Sequence, residues 1–364
     1  MGHSDRVKEA AEAVDRLLTV DLAARGAIGI LYAAARRAQG DQPLGLLAAE
    51  RLREAVKPGN PVVIATGLPI RGWFSPAIAE NDGPAGAATL ARALYVGLKA
   101  LPVLLCEGPM VPLLRAACRA AGLVVTTRAE WQKGQVAPGA VPGRHIPPAI
   151  VEGFPVELAE AEIAAQDLLI DLKPKALISI ERQGANEKGV YHYGKGEANL
   201  LSVMAKLDVL FEQGRREGIL TLGLGDGGNE LGLGLIRDEI RSAIPFGARC
   251  ICPCGAGIAP KFAADVVVVA TTSNWGAWGI EACLALITGC REVLHTPALE
   301  RNVLRACADA GAMDGITGFI EPDVDGIPGE MGAYIVDMLG YTVRNILGSD
   351  APSRGLSQSL KGEE

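Results

Sequence analysis

The sequence predicts an α/β fold: a three-layer, doubly wound, mostly parallel sheet of Rossmann-like type, with a helical N-terminal extension. Short runs rich in Val, Ile and Leu, such as residues 61–65 and 176–180, alternate along the chain with longer segments of helical periodicity. Aromatic residues make up 4% of the 364 residues, so aliphatic side chains must fill the core. That composition is typical of a parallel sheet with helices on both faces.

The first 56 residues predict a helical extension that packs on the main domain. Residues 4–18 place apolar side chains at three- and four-residue spacing, with Ser4 available as the N-cap. Residues 44–56 predict a second helix, which the Pro-Gly-Asn segment at residues 58–60 would end.

Residues 57–348 predict a single α/β catalytic domain, and residues 349–364 predict a flexible tail. We expect strands at residues 61–65, 102–106, 124–127, 176–180, 219–223, 248–252 and 266–270. We expect helices at residues 84–99, 111–121, 156–168, 197–216, 276–286, 297–311 and 329–347. Residues 134–148 are rich in Pro and Gly and predict a loop.

Charge and hydropathy exclude several classes of partner. The formal net charge is −7, and the chain has no basic run for the phosphate contacts that dominate nucleic-acid binding. No apolar segment reaches the ~18 to 20 uncharged residues of a membrane helix, and no signal peptide precedes the first helix. We therefore expect a cytoplasmic protein that binds neither nucleic acid nor membrane.

Three of the eight cysteines, Cys250, Cys252 and Cys254, alternate within the predicted strand at residues 248–252 and its continuation. A C-x-C-x-C pattern lacks the second pair of ligands that usually completes a zinc site. We interpret these cysteines as reduced, buried thiols on one face of a strand, with metal or redox chemistry as the alternative.

A glycine-dense loop follows the strand at residues 219–223 and carries Asp226, Asn229 and Glu230. Glycine lets backbone approach a ligand closely or adopt a positive φ, so this layout is typical of an active-site loop. Gly223, Gly225 and Gly228 also match the G-x-G-x-x-G dinucleotide fingerprint. We disfavour that cofactor because Asp226 places negative charge where a pyrophosphate would lie. Another alternative is that Asp226 merely caps a helix.

Other polar clusters also follow predicted strands. They comprise Thr66-Gly67, Glu181-Arg182 and the segment at residues 271–276. Ligands of doubly wound folds bind beyond the carboxyl ends of the strands, so we expect these clusters to converge on one cleft.

Asp82 and Gly83 precede the helix predicted to begin at Pro84. Asp82 could cap this helix, since Pro84 occupies the favoured first helical position. The exposed amides near Gly83 could instead bind a substrate carboxylate.

The segment after the strand at residues 176–180 offers a clamp and proton-transfer groups. Arg182 is suited to bidentate binding of a carboxylate, whereas Glu181, His192 or Tyr191 could move protons. The alternatives are a local Glu181–Arg182 surface pair and a His192 that is simply packed in its loop.

Ser273, Asn274 and Trp275 immediately precede the helix predicted at residues 276–286. One of the two polar residues could cap the helix while the other faces the cleft. Trp275 could form an apolar wall or pack in the core. No nucleophile elbow, P-loop or H-E-x-x-H motif is present in the sequence.

Together these segments resemble the D-glutamate cyclase-like family over about residues 60 to 290. The motifs that carry the resemblance are Thr66-Gly67-Leu68-Pro69-Ile70, Asn81-Asp82-Gly83-Pro84, Ile180-Glu181-Arg182, Gly225-Asp226-Gly227-Gly228-Asn229-Glu230-Leu231-Gly232 and Ser273-Asn274-Trp275-Gly276. The resemblance implies a lyase that converts D-glutamate to 5-oxo-D-proline and water. This reaction needs a base that deprotonates the substrate ammonium, a group that binds the α-carboxylate and hydrogen-bond donors that stabilise the oxyanion.

We predict two groups of site residues on this basis. The catalytic group is Glu181, Asp226, Asn229, Glu230 and His192. The substrate-binding group is Thr66, Asp82, Gly83, Arg182, Tyr191, Lys195, Gly227, Gly228, Ser273, Asn274 and Trp275. No organic cofactor is expected, whereas Glu181, Asp226 and Glu230 could hold Mg²⁺ or Mn²⁺.

The chain departs from the family pattern in two motifs: Gln183 replaces a proline in the first, and Tyr193 and Lys195 replace an asparagine and an arginine in the second. Because Lys is a point charge, it recognises a carboxylate less specifically than Arg. Alternatives are a related lactam-forming or lactam-opening reaction, a hydrolase of another lactam or lactone, a non-catalytic binder of an amino acid or nucleotide, and a nucleotide-dependent oxidoreductase. The expected partner is a small-molecule substrate, and a homodimer is neither required nor excluded.

Overall fold

A computed structural model describes residues 3–135 and 146–348. Its centre is a seven-stranded sheet in which every paired neighbour runs parallel, in the order β3-β4-β2-β1-β5-β6-β7. The strands are β1 (Pro61–Thr66), β2 (Leu101–Glu107), β3 (Val124–Thr126), β4 (Pro148–Phe154), β5 (Ala176–Ile180), β6 (Leu220–Gly225) and β7 (Val266–Val269). The predicted α/β class with a parallel sheet is confirmed.

Helices flank this sheet. They are α1 (His3–Leu18), α2 (Ile28–Ala38), α3 (Leu44–Ala55), α4 (Pro84–Leu98), α5 (Val111–Ala120), α6 (Arg128–Gln135), α7 (Leu158–Leu172), α8 (Leu207–Arg216), α9 (Arg237–Ala243), α10 (Ser273–Thr288), α11 (Pro297–Asp309) and α12 (Gly329–Leu347). Within the ranges that the structure describes, no helix is both long and apolar enough to cross a membrane.

The strand order reverses at β1, which lies between β2 and β5. Thr66 at the end of β1 pairs with Ile180 at the end of β5, and Ile180 pairs in turn with Leu224 of β6. The loops after these strands therefore start side by side at the carboxyl edge of the sheet. This reversal is where open parallel sheets form a ligand crevice.

Strands β1, β2, β5, β6 and β7 are buried over almost their whole length, because each carries aliphatic or small residues on both faces. Helices α4 and α10 pack closely beside this core. A Cβ added at Gly86 of α4 would lie 2.7 Å from Asn274 Cα, so only glycine allows the two helix starts to approach this far. Their N-termini consequently meet beside the strand ends.

The N-terminal helices pack onto the same assembly. Helix α1 contacts α10 and α12, and α3 contacts α10 and β7. Asp15 of α1 accepts hydrogen bonds from the backbone amides of Leu44 and Gly45 at 2.6 and 3.3 Å, which fixes the start of α3. The division into an extension over residues 1–56 and a catalytic domain over 57–348 stays a prediction.

Several predicted elements were wrong or incomplete. Helices α2, α6 and α9 and strand β4 were not predicted. Helix α8 begins at Leu207 rather than residue 197, because tertiary hydrogen bonds hold the preceding segment in turns: Ala205 donates to Glu107 and accepts from Arg182. The predicted loop at 134–148 lies mostly, and the tail at 349–364 wholly, outside the described residues.

The predicted strand at residues 248–252 does not form. Residues 251–254 form bends and turns instead. Pro253 cannot donate to a sheet, and Gly255 and Gly257 adopt positive φ values of 62° and 82°, which turn the chain. The cysteines of this segment are therefore not neighbours on a strand face.

Candidate active site

A cluster of carboxyl groups lies at the carboxyl edge of the sheet, around the ends of β1, β5 and β6. Its members are Glu80, Asp82, Glu181, Asp226, Glu230 and Asp325. One oxygen each of Asp82, Glu181 and Asp226 lies within 4.8 Å of the other two. All members except Asp325 are buried. Sequence reasoning predicted one cleft for Asp82, Glu181, Asp226 and Glu230, and the structure brings these four residues together at the carboxyl edge of the sheet.

Asp82 and Asn274 cap each other's helices. The Asp82 carboxylate accepts hydrogen bonds from the backbone amides of Ser273 and Asn274, both at 2.7 Å, at the start of α10. The Asn274 side-chain oxygen accepts from the amides of Gly83 at 2.9 Å and Gly86 at 2.7 Å, at the start of α4. The predicted capping of α4 by Asp82 is therefore wrong, because Asp82 caps α10 instead. These two amides of α4 are already bound, so the start near Gly83 does not present them to a substrate carboxylate.

Glu181 follows β5 in a left-handed conformation, with φ of 43°. Such a conformation is strained for a residue with a side chain, and it turns the Glu181 carboxylate back into the cluster. The Ser273 hydroxyl donates a hydrogen bond of 2.6 Å to Glu181 Oε2. Thr272, not Ser273 or Asn274, caps α10 by accepting from the Trp275 amide. Both predicted polar residues therefore serve the cluster.

Glu230 shapes the glycine loop. Its carboxylate accepts hydrogen bonds from the backbone amides of Asp226 at 3.1 Å, Gly227 at 2.6 Å and Gly228 at 2.8 Å. These amides are the ones that a dinucleotide pyrophosphate would need. Their internal carboxylate partner argues against the dinucleotide alternative. The same bonds commit Glu230 to the loop, so the predicted metal set shifts from Glu181, Asp226 and Glu230 to Asp82, Glu181 and Asp226.

Arg25, from the segment between α1 and α2, is a basic side chain that pairs with the cluster. It donates to Asp226 Oδ2 at 2.9 Å and to Asp325 Oδ2 at 3.0 Å. Its side chain is 27% exposed, so it lies on the solvent side of the buried acids. Sequence reasoning did not identify Arg25 or Asp325, because hydrogen bonds spanning 201 and 300 residues of sequence leave no local pattern.

Burial and mutual repulsion raise the pKa values of five acids of the cluster, namely Glu80, Asp82, Glu181, Asp226 and Asp325. Burial, opposed by Arg25, raises the pKa of Asp226 to about 8. Burial and the charge of Asp325 raise the pKa of Asp82 to about 7, and burial with the charge of Asp226 raises that of Asp325 to about 8. Burial also raises the pKa values of Glu80 and Glu181 well above the usual range. Carboxyl groups poised near neutral pH suit general acid–base catalysis.

Thr66, at the end of β1, and Gly83, just before α4, lie next to the carboxyl cluster. A Cβ at Gly83, whose φ is 94°, would lie 2.8 Å from Thr66 Oγ1 and 2.9 Å from Glu181 Cβ, so this position requires glycine. Thr66 Oγ1 is buried and has no hydrogen-bond partner within residues 3–135 and 146–348. A buried hydroxyl without a partner is available to a ligand.

Arg182 does not reach the cluster as a substrate clamp. Its guanidinium is fully buried, pairs with Glu107 at 2.5 Å, and donates to the backbone oxygens of Gly67 and Ala205. A buried Arg with a carboxylate partner is committed to the scaffold, since separating the pair would leave two uncompensated charges. The surface-pair alternative is also wrong, because the partner is Glu107 rather than Glu181.

Four other predicted residues lie away from the carboxylates. The His192 ring faces Cys252 and Cys254, and its backbone oxygen accepts from Asn229 Nδ2 at 2.8 Å. Tyr191 donates to Asp208, which places it in a separate buried group. Lys195 is exposed, and Trp275 stacks on Trp278 in the core with ring centroids 5.9 Å apart. The direct roles predicted for His192 and Tyr191 therefore find no support in this geometry.

The cleft of about 840 Å³ lined by Arg51, Lys175 and Asp265 lies at the other end of the sheet. Lys175 and Asp265 directly precede β5 and β7, so this cleft opens at the amino edge. Ligand sites of doubly wound sheets lie at the carboxyl edge, and the buried acids lie there as well.

Two comparisons with known proteins find relatives of this chain. A family model described as D-glutamate cyclase-like, C-terminal, matches residues 14–340. Mitochondrial D-glutamate cyclase of Homo sapiens is 26% identical over 294 residues, which cover 73% of this chain and 43% of that protein. The matched region is thus less than half of that relative's length. All of the clustered acids and Arg25 lie inside the range matched by the family model.

Proposed function

This chain belongs to the D-glutamate cyclase-like family, and from that premise we propose that it is a lyase that cyclises D-glutamate to 5-oxo-D-proline and water. The observation that carries the proposal is the buried carboxyl cluster around Asp82, Glu181 and Asp226, with Arg25 at its solvent side. A related lactam-forming or lactam-opening reaction would use the same groups.

The chemistry of cyclisation explains why clustered acids are useful. The substrate ammonium becomes an amide N–H, so it releases two protons, and the side-chain carboxylate loses one oxygen as water. Both protons must therefore travel from nitrogen to the departing oxygen, with no net proton exchanged. A carboxylate takes the first proton and a protonated carboxyl group gives one to the oxygen. Burial raises the pKa of Asp226 to about 8 and that of Glu181 well above its usual range, so both groups can carry a proton at neutral pH and exchange it with the substrate.

Glu181 and Asp226 are the groups that we assign to proton transfer. Glu181 projects from a strained position at the end of β5 and is held by the Ser273 hydroxyl. Asp226 is held by Arg25, which keeps part of its charge balanced. Glu181 follows β5 and Asp226 follows the neighbouring β6, and one oxygen of each lies within 4.8 Å of the other.

Arg25 replaces Arg182 as the group that we assign to the α-carboxylate of the substrate. Its guanidinium lies between Asp226 and Asp325 and offers planar donors to a carboxylate oxygen. The unpartnered Thr66 hydroxyl supplies a further donor from the base of the cluster. These two donors would hold opposite ends of a dicarboxylate.

Asp82, Glu181 and Asp226 also fit a divalent cation. They supply oxygen donors, which Mg²⁺ and Mn²⁺ prefer, and so many buried acids need either protons or a cation to offset their charge. Such an ion, when bound, would polarise the side-chain carboxyl group as a Lewis acid. The residues themselves provide the ligands and the dry surroundings.

The experiment is a direct assay of interconversion. Metal-stripped and Mn²⁺-reconstituted protein is incubated with D- and L-glutamate and with both 5-oxoproline enantiomers, and the products are separated by chiral chromatography. The proposal predicts turnover confined to the D series. Absence of turnover in every condition, with a folded protein, would overturn it.

Two isosteric variants identify the acids. Glu181→Gln and Asp226→Asn should each lower kcat by about 100-fold or more, the usual contribution of a general acid or base. Asp208→Asn is the matched control, since Asp208 is a buried carboxylate outside the cluster that holds Tyr191. Equal losses in all three variants would point to general destabilisation rather than to proton transfer.

A further inference from the structure

Four residues that the proposed reaction does not use converge behind the active-site loops. Cys250 Sγ lies 3.4 Å from Cys252 Sγ and 3.3 Å from Cys254 Sγ. His192 Nε2 lies 3.3 Å from Cys252 Sγ and 3.6 Å from Cys254 Sγ. The ligand atoms of all four lie within 4.8 Å of one another. The turn that replaced the predicted strand is what brings the three sulfurs to one point.

These separations are close to the edges of a tetrahedron of ligands around one metal ion. Zinc bonds of about 2.3 Å to sulfur and about 2.0–2.1 Å to nitrogen imply edges of about 3.8 Å between sulfurs and about 3.6 Å between sulfur and nitrogen. The observed S···S distances of 3.3 and 3.4 Å are about 0.4–0.5 Å shorter than the ideal edge, and the S···N distances of 3.3 and 3.6 Å lie within about 0.3 Å of it. A disulfide would instead bring two sulfurs to about 2.05 Å. All the cysteines among the described residues are free thiols.

The surroundings suit bound thiolates. Asn186 Nδ2 lies 3.4 Å from Cys254 Sγ, within reach of an N–H···S hydrogen bond, and also donates to Gly257 O at 2.8 Å. Hydrogen bonds of this kind orient metal ligands and moderate their charge. Cys250 and His192 are buried, and the other two cysteines are half-buried, so the group is shielded yet accessible to an ion.

We propose that His192, Cys250, Cys252 and Cys254 bind one Zn²⁺ in a structural site. Soft thiolates with one imidazole in tetrahedral arrangement select zinc among the common divalent ions, whereas the carboxylate cluster selects hard ions. Binding releases the thiol protons to solvent and involves no change in oxidation state. A full set of four protein ligands leaves no position for water, which excludes a catalytic role for this ion.

The zinc ion would stabilise the loops that support the active site. His192 and Cys252 are 60 residues apart in the sequence, so the ion would close a long loop of the chain. The His192 backbone oxygen accepts from Asn229 Nδ2 of the glycine loop, and the Ile251 amide donates to Gly196 O. Metal binding would therefore fix the position of Asn229 relative to the acids.

Metal analysis of the purified full chain tests the proposal. Protein expressed with added zinc should carry one Zn²⁺ per chain after dialysis against a weak chelator. Replacement by Co²⁺ should give the thiolate charge-transfer and visible d–d absorption of tetrahedral cobalt, which oxygen ligands at the carboxylate cluster cannot give. Protein without zinc, or cobalt protein without these bands, overturns the proposal.

A variant pair separates the site from general effects of cysteine loss. Cys252→Ser should lose the zinc and the cobalt bands, whereas Cys290→Ser should keep both. Cys290 is also half-buried, but it lies beside Glu292, away from the site. Equal zinc content in the two variants overturns the proposal, as does a disulfide among Cys250, Cys252 and Cys254 in alkylated, unreduced protein. These readouts do not depend on turnover, so they stand apart from the test of the proposed lyase.

Discussion

Asp82 caps the start of α10, and Asn274 caps the start of α4. Together they make four hydrogen bonds of 2.7–2.9 Å between side-chain oxygens and backbone amides. The two residues are 192 positions apart. Their exchange locks α4 to α10 directly above the strand ends and fixes one carboxylate of the cluster. Part of the active-site geometry thus depends on an amide that contacts no proposed substrate.

Asn274→Ala should lower the free energy of unfolding by about 2–4 kcal/mol, because two buried amides at Gly83 and Gly86 lose their acceptor. Urea denaturation followed by circular dichroism measures the change. Asn302→Ala is the control, since Asn302 donates one exposed hydrogen bond to Ala120 O and should cost far less. Equal stability of the two variants would contradict a capping role for Asn274.

Arg25→Gln should weaken binding of D-glutamate and of 5-oxo-D-proline by about 10- to 100-fold, since a charged hydrogen bond contributes about 1.5–3 kcal/mol. Arg25→Lys should recover part of this loss, because lysine keeps the positive charge. The recovery should be incomplete, because a point charge cannot bridge Asp226 and Asp325 as a planar guanidinium does. Calorimetry measures binding without requiring turnover. Arg53→Gln, which alters a surface contact with Ile287 O, serves as the control. Unchanged affinity in Arg25→Gln would remove Arg25 from the binding site.

Local sequence signals predicted the scaffold and the location of the site. Strand β5 and helix α12 have the predicted bounds, because apolar runs and helical periodicity are properties of contiguous residues. The convergence of Thr66, Glu181 and Asp226 followed from the rule that parallel strands end at one edge. These inferences needed no knowledge of which side chains touch.

Side-chain partners could not be predicted, because register and packing decide them. An arginine after β5 has the same local sequence whether it faces the cleft or pairs with Glu107 at the end of β2, as Arg182 does. Helix α2 went unpredicted because Ala27 gives no side-chain cap and Gly29 lies in its first turn, so no start signal exists. His192 was assigned to catalysis for the same reason: its sequence does not reveal the cysteines around it.

His295 should make stability depend on pH in the alkaline range. Its ring lies 2.7 Å from Glu281 Oε2 and 3.0 Å from Glu300 Oε2, and although burial opposes the charge, these two acids raise the His295 pKa to about 9. A folded pKa above the unfolded value of about 6.5 adds stability below that value, and this stability is lost as pH rises through about 9. Urea titrations from pH 6 to 10 should therefore show falling unfolding free energy.

The control for this titration is His295→Gln, which should lack the decline between about pH 6.5 and 9 while being less stable at pH 6. Parallel pH profiles for the variant and the parent protein would mean that another group causes the decline. Asp82, Asp226 and Asp325 are unchanged in both proteins, so their contribution cancels in the difference.

Glu230→Gln should loosen the glycine loop without unfolding the sheet. The carboxylate of Glu230 accepts from the amides of Asp226, Gly227 and Gly228, whereas a glutamine side chain has one oxygen and turns an N–H toward at least one of them. The loss of charge-assisted bonds should cost about 1–3 kcal/mol and speed hydrogen exchange at Gly227 and Gly228. Mass spectrometry of the loop peptide measures that exchange. Glu321→Gln, at an exposed hydroxyl contact, is the control, and equal loop protection in both variants would show that Glu230 does not hold the loop.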